Sequence, residues 1–432
     1  MCVLVGSSDS PPPLSRNVFF SALSSASAGL LLWLTALATR TLSADAFGQF
    51  QFAIVFATMG ETLMDLGLQQ LTTRAVARDR TQAPRLLHNS LALKALTGVG
   101  MFVVMGAIAF LLRPEPTVRA ACLLMLASAI GRSYLLTVRG VLTGLERFGH
   151  ESVVVIADRV LVLAGGALAL QQGWGLLGLC AMFVAARVVA VAGALAIARP
   201  LVGGLTLRFD TALWRTLQRQ ALPLGAFLIV LNFYSYIDTI MLGVLSTDAD
   251  TGAYGAAYRI YEGLSYLPAI LASALTPRLA SLWSSDRSAH RHLAWRGLAA
   301  AAGLGLAATV PVWLLAHWLL TFVFTGASGV DYGIATRTLR ILVTGLPFIF
   351  AIWMLQAIAT AVFLERLLLK TTAIGAGLNI ALNLFLIPRY GRDGAAVATL
   401  VGEAFTMALL VYGLRGVLRP VTAGRAPAPS SR

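Results

Sequence analysis

The sequence predicts an all-α integral membrane protein, with about twelve transmembrane helices in two six-helix lobes around a central cavity. Three observations predict it. Of 432 residues, 58% are hydrophobic and only 12% are charged, against about 25% charged in a soluble domain. Apolar stretches of about 20 residues, long enough to cross a hydrocarbon slab, recur with short polar breaks. The breaks alternate between rich and poor in Lys and Arg.

The first fifteen residues are polar and carry Pro11-Pro12-Pro13. They lack the basic-then-apolar order of a cleaved signal peptide, so the first crossing is expected to stay in the protein. The crossings run over about 17–39, 46–68, 90–112, 117–142, 152–171, 174–197, 220–245, 252–276, 294–320, 337–363, 367–387 and 394–414. The longest gaps are 72–89, 199–219 and 277–292, too short for an independent soluble domain. With the N-terminus inside, 22 Lys/Arg fall on the inner side and 7 on the outer. This bias places both termini in the cytoplasm. The expected organisation is a disordered N-terminus over 1–15, a first lobe over 16–200, a linker over 201–219, a second lobe over 220–418 and a disordered tail over 419–432.

The two halves echo each other. At an offset of 204, Gly48 falls on Gly252, Phe50 on Tyr254 and Ala53 on Ala257. At an offset of 216, Gly175 and Gly178 fall on Gly391 and Gly394, which sets Arg187 opposite Glu403. Six crossings per half return the chain to the same side, so the repeats are parallel. Pro223, Pro268, Pro311 and Pro347 lie within or at the ends of second-half crossings. Proline removes a helix hydrogen bond and kinks the rod, so these helices either bend in transport or carry static kinks.

Several charges lie where a membrane span should have none. Arg132, Arg159, Arg187 and Arg259 fall inside crossings. Facing lipid, the four would cost about 10–14 kcal/mol at ~2.5–3.5 each, so they point inward, snorkel or pair. They are the candidate binders of an anionic substrate. Each also has a structural reading. Arg259 pairs with Glu262 three residues on, Arg187 bridges the lobes to Glu403, Asp158 neutralises Arg159, and Arg132 reaches the cavity or the inner interface. Asp238 leads the ion-coupling candidates, because a buried carboxylate binds and releases a proton; Glu61 and Glu403 follow. Asp65 is expected to cap its helix or pair with Arg74. Asn17, Ser21, Ser24 and Ser25 form a polar stripe that either lines a sugar cleft or packs helices closely. Only two lysines occur, Lys94 and Lys370, and both are counted among the inner loop charges.

Cys2, Cys122 and Cys180 show no pairing or metal spacing, and the five histidines form no metal cluster; His290 and His292 are expected to be solvated. There is no phosphate-cradling GxxxxGK[ST] loop, so ATP hydrolysis has no support. No cofactor is expected beyond a coupling Na+ or H+, and no nucleic acid partner.

Short motifs run in order through the chain. Ala46-Phe47-Gly48, Asp65-Leu66-Gly67-Leu68 and Arg74-Ala75-Val76-Ala77-Arg78 resemble the opening of bacterial polysaccharide flippases, within the multidrug/oligosaccharidyl-lipid/polysaccharide exporter superfamily. So do Tyr236-Ile237-Asp238, Leu242-Gly243, Gly252-Ala253-Tyr254 and Ala257-Tyr258, then Asn379, Asn383, Ile387-Pro388, Tyr390-Gly391 and Gly394-Ala395-Ala396. The resemblance spans about 16–415. Glu61 departs from the family pattern and leaves the coupling ion open.

The resemblance implies translocation of undecaprenyl-pyrophosphate-linked oligosaccharide to the outer leaflet of the bacterial cytoplasmic membrane, by alternating access coupled to an ion gradient. Membrane lipids, a polysaccharide polymerase and export proteins are the implied partners. Two rivals stand beside it. A multidrug cation antiporter of the same superfamily is disfavoured by four intramembrane arginines, which repel a cation. A membrane polysaccharide polymerase or ligase would need a large outer loop, and the longest gaps are inner.

Overall fold

The computed structural model describes residues 20, 23, 24, 27, 29–204, 206, 209–325 and 329–418. The expected ends, 1–15 and 419–432, lie outside the described residues, as do Asn17, Ser21 and Ser25. Every regular element among the described residues is helical. In lipid each backbone polar group must be satisfied within its own segment, which a helix does.

Among the described residues eight helical segments are long and apolar enough to cross a membrane. The remaining crossings that the sequence predicts fall on α1 (Gly29–Thr41), the acid-bearing α2 (Ala44–Asp65), a pair of shorter helices beginning at Asp248, and the second arm of a kinked 49-residue helix. Ser43 caps α2, its hydroxyl accepting the Ala46 N–H at 3.2 Å, as an N-cap side chain does. At its far end Leu66 (φ 46°) and Gly67 (φ 78°) turn left-handed and start α3 (Leu68–Arg78). Leu68, Thr72 and Val76 of α3 are buried on one stripe, while Arg74 and Arg78 are exposed.

The three long inner gaps are corrected. They hold helix rather than loop, because an aspartate stands ready in each to cap a new start. Asp79 accepts the Thr81 N–H just before α4 (Ala83–Leu112). Asp210 accepts the Leu213 N–H and opens the 35-residue α8 (Thr211–Leu245). Asp286 accepts from Ser288 and Ala289 and opens α11 (Arg287–Leu314). Between them run α5 (Pro116–Gly144), α6 (Phe148–Gln171) and α7 (Gly175–Ala198).

Three crossings expected as single rods are broken, each near proline. The eighth divides into α9 (Asp248–Ser265) and α10 (Leu267–Ser285), with Pro268 opening α10. The ninth divides into α11 and α12 (Ala316–Phe324), four residues after Pro311. The tenth divides into α13 (Thr336–Thr344) and α14 (Leu346–Ala361), with Pro347 opening α14. Proline fits a first turn, where its missing N–H is an orphan anyway. The last two crossings share α15 (Glu365–Gly413), bent where Gly391 leaves helical geometry at φ 54°. Its counterpart in the repeat, Gly175, has φ 65°; both positions need the left-handed freedom of glycine. The short α16 (Arg415–Leu418) follows.

The chain forms two compact units. The first takes in residues 1–255 and 323–332, the second 256–322 and 333–432. In the first, α5 packs along α2, α4 and α7, and α6 lies on α7. Its inner half is an apolar core around Leu86, Leu87, Val138 and Leu142. In the second, α14 is the hub, packed on α10, α11 and α15.

Candidate functional site

A belt of charged side chains crosses the interior of the first unit. On α2, Glu61 and Asp65 stand one turn apart and share a face. Lys94 of α4 is wholly buried and meets Asp65 Oδ1 at 2.5 Å, Ser133 Oγ at 2.6 Å and the Ser133 carbonyl at 2.8 Å. One residue before Ser133, Arg132 reaches Glu61, Nε to Oε1 at 3.5 Å, and keeps 48% of its side chain exposed. Arg187 of α7 donates to Asp158 of α6. Added at Gly131, a Cβ would sit 2.9 Å from Arg187 Cβ. That glycine lets α5 and α7 close up, bringing the stems of Arg132 and Arg187 together.

Two more cations extend the belt toward α6. Arg159 Nη1 donates to the Ser24 carbonyl and to Ser27 Oγ, both at 2.5 Å. Arg139 pairs with the buried Glu151 at 2.8 Å, and Ser24 Oγ touches Ser152 Oγ at 2.9 Å. Five cations therefore meet four carboxylates, a net positive cluster. Burying a single ion costs several kcal/mol unless it is paired. The pairing explains how so many charges persist here.

Two expected partnerships are corrected. Asp65 pairs with Lys94, not Arg74, because the turn at Leu66-Gly67 carries Arg74 onto an exposed stripe. Asp158 serves Arg187 rather than its neighbour Arg159, since consecutive helix residues do not face each other. Within its own unit Arg187 meets Asp158, and Glu403 accepts the Tyr261 hydroxyl.

The second unit holds a smaller polar group. Arg259 Nη1 meets Glu262 Oε2 at 2.9 Å, the pairing its spacing predicts. The Tyr261 hydroxyl donates to the buried Glu403, which also lies against Gly345. Asn383 Nδ2 donates to Asn379 Oδ1 at 3.0 Å, both side chains buried. His290 is buried rather than solvated. Its ring lies tilted against Trp283, centroids 5.1 Å apart, and bonds the Leu279 carbonyl through Nδ1 at 2.8 Å.

At the outer end of the first unit, Asp238 is 2% exposed and accepts the Tyr254 hydroxyl at 3.0 Å. Arg113, expected as an outer loop charge, is buried. It donates to the Gly243 carbonyl, meets Asp248 Oδ1 at 2.6 Å and lies over the Phe52 ring. Gln49 Nε2 holds the other Asp248 oxygen at 2.9 Å. A Cβ on Gly48 would run into the Asp248 backbone, and one on Gly252 would sit 2.9 Å from the Ala44 carbonyl. The two glycines aligned by the internal repeat thus meet in one close crossing of α2 and α9.

Sequence reasoning missed Lys94, Arg139 and Arg113 by assigning them to loops. Lys94 carried a signal, since it sits in Leu-Ala-Leu-Lys-Ala-Leu, apolar on both sides. Arg113 carried none, because it directly follows its crossing. Among the described residues no three His, Cys, Asp or Glu side chains converge as a metal site.

Two family models match the chain: "Polysaccharide biosynthesis protein" over residues 14–283 and "MatE" over 223–385. A Haloferax volcanii protein named "Probable flippase AglR" is 31% identical over 183 residues, covering 42% of this chain and 38% of the relative. A second protein of that organism, "Probable low-salt glycan biosynthesis flippase Agl15", is 24% identical over 282 residues, covering 63% of this chain and 57% of the relative. The chain thus spans less than two thirds of either curated relative. Among solved structures, "Lipid II flippase MurJ, inward closed conformation" superposes with a TM-score of 0.77 at 15% identity, covering 92% of this chain and 87% of that one.

Proposed function

The chain belongs to the polysaccharide biosynthesis protein family, whose model it matches over more than half its length, and from that premise we propose that it is a flippase for lipid-linked oligosaccharide. The substrate is a polyprenyl-pyrophosphate carrier, undecaprenyl in a bacterial host, moved from the inner to the outer leaflet of the cytoplasmic membrane by alternating access. The relatives named as flippases support this reading. Both are archaeal, so the bacterial setting rests on the motif resemblance.

One observation carries the proposal: the belt of five cations against four carboxylates inside the membrane-spanning part of the first unit. A pyrophosphate crossing a low-dielectric slab needs positive charge on the way, and guanidinium binds phosphate as a bidentate fork. Arg132 is the foremost contact, half exposed with a long 3.5 Å pairing to Glu61. Arg159 and Arg259 follow, held by serine oxygens and by one glutamate respectively. Lys94, engaged by Asp65 and Ser133, positions the belt, and Arg187, paired with Asp158 through Nη1, follows as a further candidate contact. Asp238, Glu61 and Glu403 are the proton- or sodium-coupling candidates, and polymerase and export proteins are the proposed partners downstream.

A multidrug cation antiporter is the second reading, favoured by the MatE match over 223–385 and opposed by the cation surplus. An outer-face polymerase or ligase finds little support, since the longest outer connection runs only from about 325 to 335.

The test is deletion of the gene in its host, with lipid-linked intermediates measured by leaflet. Complementation with wild type is expected to clear an inner-leaflet accumulation. Arg132→Gln, expressed to the same level, is expected to lower transport at least about tenfold, the loss of one charge-assisted phosphate contact of ~1.5–3 kcal/mol. Normal leaflet distribution in the deletion strain, together with reduced efflux of a drug cation, would replace the flippase with the antiporter.

A further inference from the structure

The first unit has a second cationic feature, outside the belt. A cleft of about 360 Å³ opens where α8 passes the elbow between α2 and α3. Its walls are mostly apolar, among them Met64, Leu66, Leu93 and Leu222, and two arginines, Arg215 and Arg219, stand on α8 at its rim. Asp65 also borders it, but Lys94 already meets that carboxylate. The arginines are four residues apart, so their stems share a helix face with Cβ atoms ~5–6 Å apart. Both are exposed, and among the described residues neither has an ion pair or hydrogen-bond partner.

Depth identifies the occupant. At ~1.5 Å per residue α8 is about 52 Å long, well beyond an about 30 Å hydrocarbon slab. Its apolar crossing covers Leu228–Leu245. Arg219 and Arg215 precede that segment by about 13 and 20 Å along the axis at ~1.5 Å per residue. For a tilted helix this is the inner headgroup layer. Leu222, one turn nearer the membrane, is 59% exposed on the cleft's apolar side. Cationic at headgroup depth and apolar just above it, the cleft matches an anionic lipid in both parts. Basic pockets between helices on the cytoplasmic side recognise such headgroups.

We propose that this cleft binds an anionic phospholipid of the cytoplasmic leaflet, its phosphate on Arg215 and Arg219 and an acyl chain along Met64, Leu66, Leu93 and Leu222. The lipid braces the α2–α3 elbow against α8. The proposal is independent of what the protein transports.

The test uses the full chain, purified in mild detergent, stripped of lipid, and titrated with phosphatidylglycerol, phosphatidylcholine or undecaprenyl pyrophosphate. Bound lipid is read by native mass spectrometry. Phosphatidylglycerol is expected to outbind phosphatidylcholine, by about fivefold per arginine. The double variant R215Q/R219Q is expected to lose that preference, and R287Q/R291Q, which removes equal charge from the inner side elsewhere, to keep it. Thr97→Phe, which narrows the cleft and leaves both arginines, is expected to weaken phosphatidylglycerol binding as well. Retention of the preference in R215Q/R219Q, or an equal loss in R287Q/R291Q, overturns the site. Arginine-dependent binding of undecaprenyl pyrophosphate alone overturns the phospholipid and makes the cleft a station for polyprenyl pyrophosphate.

Discussion

Lys94→Met tests whether the belt is held by ion pairing. The Lys94 side chain is wholly inaccessible and the Asp65 side chain 11% exposed, with 2.5 Å between Nζ and Oδ1. Methionine keeps the length of the stem and removes the charge. It leaves the Asp65 carboxylate buried without its cation, and Ser133 loses two close contacts. Breaking a buried pair from one side costs about 3–5 kcal/mol, two to three and a half orders of magnitude in the folding equilibrium at ~1.36 kcal/mol per decade. Asp65→Asn alone is expected to cost a similar amount, since it strands the ammonium. Together the two changes neutralise the site, so the double variant is expected within about 1–2 kcal/mol of wild type. The assay is equilibrium unfolding of the purified chain in mixed micelles, followed by tryptophan fluorescence, with all four species on one cycle. A coupling energy near zero, or a Lys94→Met cost under about 0.5 kcal/mol, would refute the reasoning. Transport retained by the double variant would mark the pair as a positioning element; transport lost despite restored stability would make Lys94 part of the substrate path.

Three further outcomes follow from the geometry. Gly48→Leu forces a side chain into the Asp248 backbone and is expected to cost about 3 kcal/mol or more by overpacking; Gly252→Ala, with 2.9 Å to the Ala44 carbonyl, is expected to be milder, and thermal melting ranks them. Asp248→Asn removes one of the two carboxylates on Arg113, leaving Glu115 Oε2 at 3.1 Å from its Nε, and is expected to lower stability by about 1.5–3 kcal/mol, the loss of one charge-assisted hydrogen bond; if melting is unchanged, the outer contact is not energetically coupled. Asp210 is held below the ordinary carboxylate range, first by the Leu213 N–H and then by Arg85. A depressed folded value means its stabilisation is full above the unfolded pKa of about 3.9 and lost as pH falls through the folded one. Amide protection in the first turn of α8, taken relative to the intrinsic exchange rate at each pH, is therefore expected to fall below about pH 4 and to lose that pH step in Asp210→Asn.

Much of this protein is a local property of its chain. A helix in lipid must be apolar over most of its length and satisfies its own backbone, so the recurrence of crossings is written in composition. The Arg259–Glu262 pair was legible for the same reason, since both members lie on one helix at fixed spacing. Capping aspartates at 79, 210 and 286 were equally local, yet the low apolarity of those stretches hid the helices they begin. Partner choice across helices is different. Asp158 has an arginine next to it and another on α7, and only the facing of α6 and α7 selects the second. Lys94 looked like a loop charge until α2, α4 and α5 closed around it. Gly48 and Gly252 were visible as an echo between the halves, but their meeting at one crossing depends on how α2 approaches α9. Intramembrane charges are forced by their desolvation cost to find partners somewhere. Which partner each finds is decided by the rotation and approach of whole helices, quantities that no local stretch of sequence contains.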